Sequence, residues 1–243
     1  MLVLLTVAAS ALIDRWSTAR WDETLSIGVY PIPADDSPAV AAYVSRLTSQ
    51  QLAPIEDFFS VEARHYGLQQ MRPVKLWLYA PLKELPPRLD PGSGALGTMF
   101  WSLRLRWYAW QNASDHVGII RVFILYHDPV RTPIVPHSLG MRKGLIGVVY
   151  AFADTEMTGT NNVVIAHEVL HALGATDKYD MQTLQPLYPQ GYGDRAAQPR
   201  HPQELTEVMA GRRAVSDHEV EQPRDLESVV IGPETAAEIR WRR

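Results

Sequence analysis

The segment His167-Glu168-Val169-Leu170-His171-Ala172-Leu173-Gly174-Ala175-Thr176-Asp177 constrains this chain more than any other. Its flanks are apolar. Val163, Val164, Ile165, Ala166, Val169, Leu170, Ala172 and Leu173 predict a buried helix. Two histidines and a glutamate in such a helix are costly unless they have partners. Residues four apart share one helix face, about 6 Å apart along the axis, so His167 and His171 can grip one zinc ion. Glu168 sits beside that ion but off the ligand row, where a carboxylate can take a proton from a zinc-bound water. Gly174 suits a left-handed helix terminus, after which the chain can turn and bring Asp177 back as a third ligand. Three protein ligands leave a fourth position open, as catalytic zinc requires. The residues also leave another arrangement open. Asp177 could cap the helix or pair with Lys178, with Asp180, Glu204 or Glu207 binding instead.

This HExxHxxGxxD stretch resembles the zinc signature of the metzincin clan of metallopeptidases, in the snapalysin-like form that ends in aspartate. The resemblance implies a methionine-containing turn below the metal, and Glu207-Val208-Met209-Ala210-Gly211 fits it. It also implies a metzincin-like zincin domain: a mixed, twisted sheet and the active-site helix above, a smaller irregular C-terminal part below. The specific match runs from Asn161 to Gly211. It departs at Gly211, where several members of the clan carry a tyrosine that binds the metal or stabilises the oxyanion.

The chain has 243 residues and 46% hydrophobic residues, enough for a sizeable core. Its net charge of −4 gives no electrostatic reason to expect nucleic acid as a partner. The absence of cysteine excludes disulfides, thiol catalysis, cysteine-ligated zinc and any cysteine-based latency. Met1 to Ile13 is nearly all apolar, too short for a membrane span but long enough for a signal-peptide core, and Ala9-Ser10-Ala11 resembles a cleavage site. The expectation is a signal peptide or membrane tether over residues 1–20 and a secreted, periplasmic or membrane-anchored protein. One metallopeptidase domain over 21–243 is expected to follow.

The fold class expected is α/β (α+β). Strands are predicted at Thr24 to Ile32, Val74 to Ala80, Val117 to Tyr126 and Leu145 to Ala153. A helix is predicted from Ser37 to Tyr66, kinked or restarted at Pro54. Leu96, Phe100, Leu103, Trp107 and Trp110 recur at helical spacing and predict a helix that packs this aromatic stripe into the core. The upper part spans about 21–174 and the lower about 175–243. A long ordered loop over Asp180 to Pro202 and a closing helix over Pro233 to Trp241 complete the chain.

Gly92-Ser93-Gly94-Ala95-Leu96-Gly97 fits GxGxxG but follows no strand directly, so it reads as a loop. The function expected is hydrolysis of peptide bonds, with His167, His171 and Asp177 on zinc and Glu168 as general base. Leu145–Ala153 is expected to border the cleft and accept an extended peptide or protein substrate at its edge. Tyr179, Tyr188 or Tyr192 could stabilise the oxyanion in place of the missing tyrosine. Two rivals remain: a gluzincin-like peptidase with Glu204 or Glu207 as third ligand, and a zinc-binding scaffold without turnover.

Overall fold

The computed structural model describes residues 21–90, 92–113, 119–136, 138–141 and 145–242. The expected signal or tether segment lies outside them. Five strands form the main sheet: β1 (Leu25–Pro33), β2 (Val74–Leu78), β3 (Ile120–His127), β4 (Leu139–Met141) and β5 (Ile146–Phe152). Their order is β2-β1-β3-β5-β4. All pairs are parallel except β4, which runs antiparallel along β5. The protein is therefore a mixed α/β structure, as its sequence pattern implies.

Both faces of the sheet are buried, so its central strands are apolar throughout rather than alternating. The side-chain period of two sends Ile120, Val122 and Ile124 of β3 into one core and Phe123 and Leu125 into the other. The first core is covered by three helices: α1 (Pro38–Ser45), α2 (Ala53–His65) and the motif helix α4 (Thr158–Leu173). The second lies under the long helix α3 (Ala95–Ala113).

The helix expected over Ser37–Tyr66 is divided. A 3-10 turn, Ser49–Leu52, separates α1 from α2, and α2 restarts with Pro54 in its first turn, where no N–H is needed. β1 runs through Pro31 and ends at Pro33. The Pro31 carbonyl accepts from the Leu82 N–H, on the side β2 has already left, so the donor missing at proline costs the β3 pairing nothing.

Helix α3 reverses the expectation for its aromatic stripe. Leu96, Phe100, Trp107 and Trp110 are 58–70% exposed, while Trp101, Leu105, Tyr108 and Ala109 face the sheet. Two apolar stripes share the helical period, and polar tethers select between them. Trp101 Nε1 donates to Pro87 O at 2.8 Å and the Tyr108 hydroxyl donates to Glu84 O at 2.5 Å. Burying that face satisfies both polar ends on the 84–87 segment.

Beyond α4 the chain is mostly irregular, as expected for 180–202. Short strands β6 (Thr206–Glu207), β7 (Arg213–Ala214), β8 (Val220–Glu221) and β9 (Val229–Val230) form two pairs, β6-β9 and β7-β8. The closing helix α5 is Pro233–Glu238. Val208, Met209, Ile231, Ile239 and Trp241 from this part join the first core, beside α2 and α4. The lower part is thereby fixed against the helix that carries the motif.

Candidate metal centre

Helix α4 ends where the sequence requires it to. Gly174 adopts φ 109°, and the Ala175 N–H reaches back to Leu170 O at 2.9 Å. This left-handed exit reverses the chain and returns Asp177 to the face that carries the histidines. Asp177 Oδ1 lies 3.2 Å from His167 Nε2 and 3.1 Å from His171 Nε2.

Each imidazole is oriented through its other nitrogen. His167 Nδ1–H donates to Val208 O and His171 Nδ1–H to Ala175 O, both at 2.9 Å. A carbonyl oxygen only accepts, so both Nδ1 atoms carry hydrogen and the neutral rings present Nε2 lone pairs toward Asp177. Two lone pairs and a carboxylate oxygen converge, an arrangement that a proton or a shared cation reconciles. The spacing suits zinc: ligand atoms about 2.0–2.1 Å from a tetrahedral ion lie roughly 3.3 Å apart. The backbone carbonyl partners are the supports that metal-bound histidines commonly have.

The electrostatics agree. Burial opposes charge on His167, but its hydrogen bond to Asp177 and the nearby Glu168 outweigh that and push its pKa up to about 9. Burial alone would raise the Asp177 carboxyl, yet the two histidines hold it well below the usual carboxylate range. The site demands positive charge, which a proton or a metal ion can supply.

Glu168 follows His167 and lies next to both histidines; donor atoms of the three are within 4.8 Å of one another. It is only 4% exposed, and its Oε2 is buried with no hydrogen-bond partner among the described residues. Burial raises its pKa, and the histidines moderate the rise. Of the two carboxylates, Asp177 touches both Nε2 atoms while Glu168 keeps a free oxygen.

The other acids considered for the third position lie elsewhere. Glu207 is fully buried and both its oxygens are occupied: Oε2 accepts from Met209 N and Ala210 N, and Oε1 from Gly232 N and Thr235 Oγ1. It caps the turn Val208–Ala210. Asp180 caps its own turn through Gln182 N and Thr183 N, and Glu204 is exposed. Lys178 pairs with Glu238 at 2.8 Å rather than with Asp177. Met209 is fully buried, and its carbonyl accepts from Lys178 N at 2.9 Å. Its neighbour Val208 supplies the carbonyl that orients His167, so the turn supports the site directly.

Of the three tyrosines, Tyr179 is the one beside the centre. Burial raises its pKa, and the charges of Asp177 and Glu168 raise it further while Arg212 lowers it. Tyr188 stacks under Arg200, and the Tyr192 hydroxyl is hydrogen-bonded to His201. Both serve the 188–201 loop instead.

Two features of the site carry no sequence signal. Val208 O and Ala175 O are backbone atoms. Strand β4 has three residues, too few to show a period, yet it runs beside α4: a Cβ at Gly140 would fall 2.4 Å from His171 Cβ. Strand β4 covers the edge of β5 over Ile146–Val148, with Gly140 opposite Gly147, and is the outermost strand on that side of the sheet, so along those residues the cleft border passes from β5 to β4.

No protein-family model matches the sequence, and no curated protein matches it. Among solved structures, wild-type OgpA from Akkermansia muciniphila is similar, with a TM-score of 0.45 and 17% identity over 88% of this chain and 59% of that one. Catalytically inactive OgpA in complex with an O-glycopeptide (glycodrosocin) substrate gives a TM-score of 0.39 and 12% identity, over 90% and 59%. The chain thus spans about three-fifths of the length of those proteins. No helix among the described residues is long and apolar enough to cross a membrane.

Proposed function

We propose that the protein is a zinc-dependent endopeptidase. One observation carries this reading: three acceptors that need a cation, His167 Nε2, His171 Nε2 and Asp177 Oδ1, converge beside a buried carboxylate with a free oxygen. A structural zinc site would be closed by four protein ligands and would have no use for the adjacent Glu168.

His167, His171 and Asp177 would hold the ion. When bound, zinc polarises a carbonyl and acidifies water at its open position. Glu168 takes the proton from the attacking water and passes it to the leaving amine. Its dry setting keeps the carboxylate unsolvated and reactive. The outer edge of β4 offers main-chain donors and acceptors to an extended peptide, which would lie past the metal as an added strand. To Tyr179, whose phenol feels the charges of Asp177 and Glu168, we assign the donation of a proton to the developing oxyanion.

The reading is tested by loading the protein with zinc and incubating it with a mixed peptide library. Internal cleavage that a chelator abolishes and zinc restores is the expected result. One bound zinc with no cleavage of any peptide would sink the proposal.

A further inference from the structure

Gly140 stands where no side chain fits. A Cβ built there would meet His171 Cβ at 2.4 Å, Glu168 Oε2 at 2.8 Å and the Glu168 carbonyl oxygen at 2.9 Å. Two of these atoms are fixed to the helix and cannot swing aside. The φ of Gly140 is not in the left-handed region, so its backbone shape is open to any residue and the demand is for space alone. Its cross-strand partner Gly147 supplies an internal contrast. There a Cβ would lie 3.6 Å from Val122 and 3.8 Å from Glu168 Cβ, ordinary contact distances.

The two glycines face the same segment of α4 from adjacent strands, yet only one is sterically required. At Gly140, β4 comes down onto the turn Glu168–His171 and walls in the carboxylate whose Oε2 has no partner. Interiors are packed too tightly to absorb a methyl group at 2.4 Å. Alanine at 140 would force β4 to retreat by about 1 Å, restoring a normal contact of 3.4 Å. The retreat would open the slot around Glu168 to water and move the outer edge of the sheet away from the metal ligands.

We infer that Gly140 is a positioning residue: its missing side chain lets β4 close on Glu168 and set the distance between the general base and a substrate lying along the strand. This rests on the peptidase reading above and adds to it the residue that holds the base in register. The ligand His171 is the nearest neighbour of the added Cβ, but its backbone is carried by α4 and its ring is anchored through Nδ1 to Ala175 O, so the strand is expected to move rather than the ligand.

The test compares Gly140→Ala with Gly147→Ala in the full chain. Four quantities are measured: bound zinc, melting temperature of the metal-free protein, kcat and KM on a peptide that wild type cleaves, and the affinity of zinc-loaded protein for acetohydroxamate. The last probe chelates zinc and shares a proton with the neighbouring carboxylate, so it reports the position of Glu168 without turnover. Gly140→Ala should keep one zinc and melt only a few degrees below Gly147→Ala, the cost of displacing β4. Its kcat should fall about 100-fold with little change in KM, the cost of misplacing a catalytic group by about 1 Å. Its acetohydroxamate affinity should weaken about tenfold, the loss of one charge-assisted hydrogen bond. Equal kcat and equal acetohydroxamate affinity in the two variants would overturn the inference. So would loss of zinc and of melting temperature together in Gly140→Ala, which would make the glycine a requirement of folding. Should wild type cleave no peptide, the peptidase reading fails alone, and the acetohydroxamate affinities still decide the role of Gly140.

Discussion

Glu207→Gln tests whether this buried acid builds the turn below the metal or competes for the metal itself. The carboxylate is fully buried and accepts four hydrogen bonds, two on each oxygen. Glutamine keeps the shape but replaces one acceptor oxygen by an NH2 group. Its cheaper orientation places that group toward Gly232 N and Thr235 Oγ1, because the hydroxyl can rotate and accept, whereas the N–H groups of Met209 and Ala210 cannot. The Gly232 N–H is then left without an acceptor, at about 1–3 kcal/mol. The bonds to Met209 and Ala210 survive but lose charge assistance, roughly 0.5–1 kcal/mol each. Relief of the buried charge offsets part of this. A net loss of about 2–4 kcal/mol is expected, a large fraction of the stability of a typical domain. Urea unfolding of the metal-free variant and of wild type measures it, with zinc content measured on the folded protein. Stability reduced by that amount, with one zinc retained, is the expected pair of results. Unchanged stability with zinc lost would refute the reasoning and make Glu207 a ligand.

Three further predictions follow from other parts of the molecule. Asp177→Ala should drop zinc occupancy below one per chain under dialysis that wild type withstands, while Glu204→Ala should not; the reverse pattern, read by elemental analysis, would move the third ligand. Leu105→Ala, at a fully buried position of α3, should cost about 2–5 kcal/mol in denaturant unfolding, whereas Trp107→Ala on its exposed face should cost less than about 1 kcal/mol; equal costs would return the aromatic stripe to the core. Glu238 is held below the ordinary glutamate range: burial opposes this, but hydrogen bonds from Lys178 and Thr176 outweigh it. A depressed folded-state pKa stabilises fully above the unfolded value of about 4.3 and is lost as pH falls through the folded value. The melting temperature gap between wild type and Glu238→Gln should therefore shrink below about pH 4, and a gap that widens there would contradict the assigned direction.

The sequence made the chemistry of the site legible because that chemistry is local. His167, Glu168, His171, Gly174 and Asp177 lie in one segment whose helical period and glycine exit dictate their geometry, and the structure brings both Nε2 atoms onto one oxygen of Asp177. Strands β1, β3 and β5 were legible because a sheet buried on both faces writes nearly continuous apolar runs. At the edge, β2 shows instead an alternation of buried Val74 and Leu76 with Lys75 and exposed Trp77. The lower half, a loop with a closing helix, was legible from its proline and glycine content and its lack of period.

What was hidden depends on tertiary choice. The two apolar stripes of α3 are equivalent to a periodicity argument, and the Pro87 and Glu84 carbonyls that favour one of them are distant in sequence. Strand β4 is too short to announce itself, so the sequence pattern points to β5 as the edge beside the site. Glu207 looked like a possible ligand because an acid in the right neighbourhood shows its charge in sequence and its four donors only in space. The tyrosines were indistinguishable until the fold put Tyr179 beside Asp177 and committed Tyr188 and Tyr192 to the loop.

The central claim is that Glu168 is a base beside a catalytic ion held by other residues. Zinc content and cleavage of a mixed peptide library, compared between wild type and Glu168→Gln, test it most directly. One zinc in each protein, with cleavage by wild type only, is the result this account predicts. Cleavage undiminished in the variant, or zinc lost from it, would contradict the account.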